Sequence, residues 1–268
     1  MNIKLIQIFS AAIGALILSA CATPPSATYD TADMMAIKTI AVAMPKPTSY
    51  FAVSLSGPIF VPIPGASLAI SAFSGALAGT LGRAATRAND EFNELVQQKL
   101  GDTGLNRKFV DALEAVLREQ GYAVKEVELG RDGAPVLTWD KKNGPLLTGG
   151  PYLGADALLI APVQTGYLSK QLGHPYLRFA KTEVRIFKAD TLKSIFADDL
   201  THKTESAFQQ GGIPYSYNWY SAVKDDLPHA IQGVNEALMN LVPQFKADLL
   251  ASRGEASLAG AAGVKNTN

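Results

Sequence analysis

Few residues in this chain have side chains able to do covalent or acid–base chemistry. The 268 residues include one cysteine, Cys21, and three histidines, His174, His202 and His229. A lone cysteine makes no intramolecular disulfide and supplies at most one thiolate. None of the histidines has the spacing of an H-E-x-x-H metal site, and they fall in a loop, a strand and a helix start. At a helix start a protonated His229 would oppose the dipole, so it reads as a neutral surface residue. Asp198-Asp199 lies in a strand segment, where adjacent side chains face opposite sides and cannot share a proton. Asp225 or Asp226 reads as a helix cap. No G-x-S-x-G, S-x-x-K or Walker pattern occurs. Two function classes remain. The preferred one is a binding or assembly protein with no catalytic residue, cofactor or metal. The alternative is a hydrolase acting on a cell-wall or lipid substrate through His202 with Asp198 or Asp199.

Two further clusters suit contacts better than catalysis. Gly75, Gly79 and Gly82 recur at i, i+4 and i+7, along one side of a helix where backbones can approach closely. The run superficially suggests a phosphate loop but lacks the Lys-Ser/Thr that such a loop needs. It is expected to pack on its own domain, on copies of the chain or against lipid. Tyr215, Tyr217, Trp219 and Tyr220 form the densest aromatic group. They either cover the end of a sheet or form a partner surface, since such rings bring large area at low entropy cost.

The elements that must position these residues follow from periodicity. Thr39–Met44 reads as a first strand, stopped by Pro45 and Pro47. Residues 47–82 carry no charge, alternate as extended chain from Phe51 to Ile63, and become helical from Ala66. That helix is expected to run through Phe92 and Val96 to Leu100. A second helix over 106–120 has the stripe Phe109, Val110, Leu113, Val116 and Leu117, with Gly121 as its stop. Tyr122–Leu129 is a strand, 130–151 an irregular excursion, and Ala157–Val163 a central strand running towards Tyr167. Tyr176–Phe187 and Ile195–Thr204 are strands joined by a short link, with a bulge expected near Lys181. A long helix over 226–252 should kink at Pro243.

These elements predict one α/β domain: a mixed, mainly antiparallel sheet with two long helices on one face and an apolar Gly-rich helical insert. The expected boundaries are a signal peptide over 1–20, a tether over 21–36, the domain over 37–253 with its insert at 47–104, and a disordered tail over 254–268. Lys plus Arg number 24 and Asp plus Glu 24, so no net field favours nucleic acid.

The N-terminal segment sharpens the location. One positive charge at Lys4, an uncharged run over Leu5–Leu18 and small residues Ser19 and Ala20 have the layout of a secretory signal peptide. The run is shorter than the ~20 residues a spanning helix needs. Leu18-Ser19-Ala20-Cys21 resembles the lipobox of bacterial lipoproteins. That resemblance implies cleavage before Cys21 and acylation of its thiol and new amino group, leaving the mature chain no free thiol. Two or more acyl chains anchor stably. Ala22 after the cysteine resembles the sorting pattern for the outer membrane, placing the protein lipid-anchored on its periplasmic face. Its expected partners are that membrane and an envelope protein or another copy of itself.

The order of elements, with Ile186-Phe187-Lys188-Ala189-Asp190-Thr191 leading into Ile195-Phe196-Ala197-Asp198-Asp199, resembles a periplasmic α/β domain. CsgG-type secretion lipoproteins, the penicillin-binding-protein activator LpoB and the N-terminal domain of TolB have such domains, as do uncharacterised lipoproteins with a Gly-rich apolar insert. Leu192 replaces the Gly usual after such a Thr. The resemblance implies a binding, assembly or export-accessory role and carries no catalytic residues.

Overall fold

The computed structural model describes residues 27–54, 82–140, 143–169, 173–202 and 213–254. Cys21, Gly75 and Gly79 lie outside the described residues, as do the tail beyond Gly254 and the extended segment beyond Ser54. Ala27, the first described residue, is already buried in the fold, ten residues before the expected domain start. Strand β1 (Thr28–Tyr29) joins the sheet, and helix α1 (Thr31–Ala36) buries Met34 completely. Low apolar content had suggested a tether here. What pins the segment instead is polar. Asp30 caps α1 by accepting from the Asp33 N–H at 3.1 Å, Lys193 reaches both Asp30 and Asp33, and Lys188 pairs with Asp33 at 3.2 Å.

The sheet is mixed and mainly antiparallel. Strands β2 (Thr39–Ala43), β4 (Ala123–Val127), β7 (Ala157–Ile160), β9 (Tyr176–Lys188) and β10 (Ser194–Thr201) run in the order β1-β10-β9-β7-β2-β4. Strand β2 is parallel to both its neighbours, β4 and β7. The first half of β9 pairs instead with β8 (Val163–Ser169), which carries β3 (Tyr50–Ser54) in parallel on its far side. The expected central strand is thus two strands, separated at Ala161-Pro162, where Pro162 has no N–H to donate to a ladder. At Gly166 in β8 a Cβ would collide with the Phe51 backbone, so the β3–β8 pairing requires glycine there.

The helices lie on one face. Helix α3 (Leu105–Glu119) buries Phe109, Val110, Leu113 and Leu117, and it closes with Gly121 at φ +86°. The Gly121 N–H donates to the Arg118 carbonyl and the Tyr122 N–H to that of Leu117, which satisfies two end carbonyls. The expected 226–252 helix is two helices, α5 (Leu227–Met239) and α6 (Val242–Ser252). Pro243 does not kink a continuous helix; it sits in the first turn of α6, where a missing N–H costs nothing. Helix α2 (Gly82–Leu100) packs Phe92 and Val96 onto the same core. Its Asn93 and Asn89 side chains bond the backbone of β3 at Tyr50 and Ala52, occupying the groups that a neighbouring strand would otherwise take.

Two local expectations change. Residues 136–148 are not irregular: β5 (Val136–Asp140) and β6 (Gly144–Thr148) form a hairpin. No bulge occurs at Lys181, because β9 keeps one register through both its neighbours there. The shift falls in β10, between Ser194 and Phe196. Leu177 and Phe179 have the opposite parity to Val184 and Ile186 because the two faces of β9 are both covered, Phe51 meeting Phe179 on the far side.

Candidate functional site

The aromatic group is assembled at one end of the sheet, around β11 (Ser216–Tyr217), α4 (Tyr220–Asp225) and the start of β9. Three of the four rings are held by the domain itself. Tyr217 is buried edge-on against Tyr167, with ring centres 5.3 Å apart. Its hydroxyl donates to Asp226 Oδ2 at 3.1 Å, and His229 Nδ1 lies 2.9 Å from the same oxygen. That geometry explains why Asp226 does not cap α5: its carboxylate faces Tyr217 and His229, and Pro228 in the first turn has no N–H to receive it. Tyr220 lies between Phe92 of α2 and Tyr176 of β9.

Tyr215 is anchored from three directions. Its hydroxyl donates to Glu236 Oε1 at 2.8 Å, the Arg178 guanidinium stacks 4.7 Å from its ring centre, and its backbone adopts φ +55°. The ring lies against Gly233 so closely that a Cβ there would overlap it. Trp219 differs from the other three. It precedes α4 and is 67% exposed. The four residues are therefore one structural group with one outward-facing member.

Electrostatics keep these phenols protonated. Burial, followed by the hydrogen bond to Asp226, raises the Tyr217 hydroxyl well above its ordinary value. Burial raises Tyr167, which donates to the Ala230 carbonyl at 3.0 Å. The hydrogen bond to Glu236 raises Tyr215 and lowers Glu236 in turn. Each of these O–H groups is spent on an acceptor within the domain, which fixes its ring in place.

The two aspartates of the acid–base candidates face opposite sides of the sheet. Asp198 is fully buried opposite Val184, on the helix face, whereas Asp199 lies on the other face, 2.8 Å from Arg185. His202 continues beyond β10 with its N–H bonded to the Ala180 carbonyl. Of the glycine group, Gly82 begins helix α2, and the other two residues lie outside the described residues. Among the described residues, no three His, Cys, Asp or Glu side chains are grouped to hold a metal. None of the described helices is long and apolar enough to cross a membrane.

Two features were not anticipated from sequence. On the outer face of β9, Lys181, Glu183 and Arg185 stand in a row at alternate positions, all nearly fully buried. Lys181 Nζ lies 3.1 Å and Arg185 3.6 Å from the two Glu183 oxygens. Burial pushes the Glu183 carboxyl up despite both cations. Alternation of charge along Lys181–Arg185 was the available signal, but it reads equally as a solvated strand face. The second feature is a shallow cleft of about 240 Å³ at the opposite end of the sheet from Trp219, lined by Met35, Lys38, Tyr122 and Arg253. Its walls come from residues more than 200 apart in sequence, so no local pattern marks it. No family model matches the chain, and comparison with curated proteins gives no match.

Proposed function

We propose that the protein is a lipid-anchored envelope protein, held at the periplasmic face of the outer membrane by acylated Cys21, that binds or helps assemble a protein partner and is not an enzyme. The observation that carries this reading is a distance along the chain. Only Ala22–Ser26 separates the lipobox-like Cys21 from Ala27, the first described residue, which is already buried. An acylated cysteine six positions from a buried residue would hold the domain beside its membrane. The rigidly framed Trp219 supports the partner role, since exposed tryptophan on a locked scaffold is the usual anatomy of a binding hot spot. Self-association through Gly75, Gly79 and Gly82 belongs to the same proposal. The hydrolase alternative, His202 with Asp198 or Asp199, gains no specific observation.

The test uses Cys21→Ser and Trp219→Ala in the full chain. Cys21→Ser should block acylation and strand the precursor, read by fatty-acid labelling and membrane fractionation. Trp219→Ala should keep its stability within about 0.5 kcal/mol while losing crosslinks to envelope proteins. Continued processing and membrane retention of Cys21→Ser would overturn the anchor. An unchanged crosslinking pattern for Trp219→Ala would overturn the contact role.

A further inference from the structure

Among the described strands of the main sheet, β4 has a partner on one side only, its parallel neighbour β2. The Ala123 N–H donates to the Lys38 carbonyl, and the Met44 N–H donates to that of Val127. Backbone groups alternate sides along a strand, so Ala123, Lys125 and Val127 face β2. The N–H and C=O groups of Val124 and Glu126 therefore point away from the sheet, and among the described residues no backbone group meets them. The far side of β3 is different, because Asn89 and Asn93 take up its outward groups. On β4, Ala123, Lys125 and Glu126 are exposed and Val124 is half-buried.

Such an edge is a template for one more strand, and its side chains decide whose. A second copy would pair antiparallel about a two-fold axis, which restricts the register. Centred on Lys125, that pairing sets lysine against lysine. Centred on Glu126 or Val127, it sets Glu126 against Glu126 or Glu128. Centred on Ala123 or Val124, it calls on Tyr122, whose N–H already donates to the Leu117 carbonyl. Every self-pairing thus meets like charges or a donor already bonded, whereas a strand of different sequence meets neither. Lys125 registers with Ala41 on the outer face, and its ammonium has one bond, to the Gly154 carbonyl at 3.1 Å, leaving two protons for an acceptor. Val124 and Glu126 lie on the helix face, where Glu126 is paired with Arg107 at 2.9 Å.

We propose that the β4 edge receives an extended segment of a partner protein as an added strand, with an acidic residue opposite Lys125 and an apolar one opposite Val124. The inference rests on the binding role proposed above and adds a contact independent of Trp219 and of the anchor. Backbone bonds to Val124 and Glu126 would supply the affinity, and the alternating side chains the choice of partner.

The probe is a blocked peptide of alternating valine and glutamate, as long as β4, added to the full chain in detergent while amide hydrogen exchange is followed by NMR. It should slow exchange at Val124 and Glu126 severalfold and leave Ala123 and Lys125, already bonded to β2, unchanged. A twin peptide methylated on every backbone nitrogen should have no such effect. Val124→Pro removes an outward donor without touching the β2 ladder, so it should bind the peptide severalfold more weakly, whereas Val124→Ala should bind as the parent chain does. No slowing at Val124 and Glu126, equal slowing by the methylated twin, or undiminished binding by a folded Val124→Pro chain would overturn the proposal. Slowing that grows with protein concentration in the absence of peptide assigns the edge to a second copy and also overturns it. Each of these outcomes is compatible with loss of crosslinks in Trp219→Ala, so the added strand and the contact at Trp219 fail separately.

Discussion

The two faces of the sheet are built from opposite materials. On the helix face, Phe109, Leu113, Leu117, Leu238 and Phe245 pack on Ile40, Val184, Ile186 and Phe196 in one continuous apolar core. On the outer face, a small apolar cluster of Ala41, Leu158, Ile160 and Phe187 lies under the β5–β6 hairpin. Beside it come the buried charges of Lys181, Glu183 and Arg185. The helix face gains its stability from area removed from water, about 25 cal/mol per Å². The outer face must match every desolvated charge with a partner, and such arrangements are a weak source of stability. The helix face is therefore the folding core, and the outer face is where small changes in charge should be felt as changes in pH response.

Three substitutions test that division. Phe245→Ala should have the largest effect, about 3–5 kcal/mol in denaturant unfolding, because the ring is fully buried and sits edge-on to Phe196 with centres 6.1 Å apart. A loss below 1 kcal/mol would mean that the helix face is not the core. Arg185→Met should cost about 3 kcal/mol, the low end for breaking a buried ion pair, because Asp199 retains contact with water while Glu183 loses a cation. No loss would show that the pairing merely offsets its own desolvation. Glu183→Gln is the smallest and changes sign of use with pH. Burial places the folded carboxyl above its ordinary 4.5. Stability associated with the protonated form is thus present at acid pH and lost as pH rises through the folded value. Wild-type protein should fall behind the glutamine variant on going from acid to neutral pH. A gap that does not change with pH would show that the carboxyl is not desolvated.

Sequence and structure agree where a local period decides the outcome. The stripe Phe109–Leu117 specified its helix, and Gly121 ended it, because both signals lie within a few turns. Short runs of strand-forming residues bounded by turn residues likewise located β2, β9 and β10. The fold class followed from the order of these elements. Local reading failed where a distant partner decides: residues 28–36 look like a tether until Lys188 and Lys193 are placed beside Asp30 and Asp33. The hairpin over 136–148 was hidden because its Gly and Pro residues mask the alternation, and it exists by pairing and by covering Phe187.

For the candidate site the same line divides what was legible. The sequence alone identified a lipobox-like cysteine and an aromatic group, because each is a matter of residue type at short spacing. Which ring faces outward was decided only by tertiary contacts, since Arg178, Tyr167, and Asp226 with Glu236 come from three other stretches of chain. The same holds for the cleft beside α1, where Met35, Tyr122 and Arg253 meet across more than 200 residues of sequence. Periodicity carries information over one element, whereas a surface is the sum of separate elements whose placement is settled by burying the core.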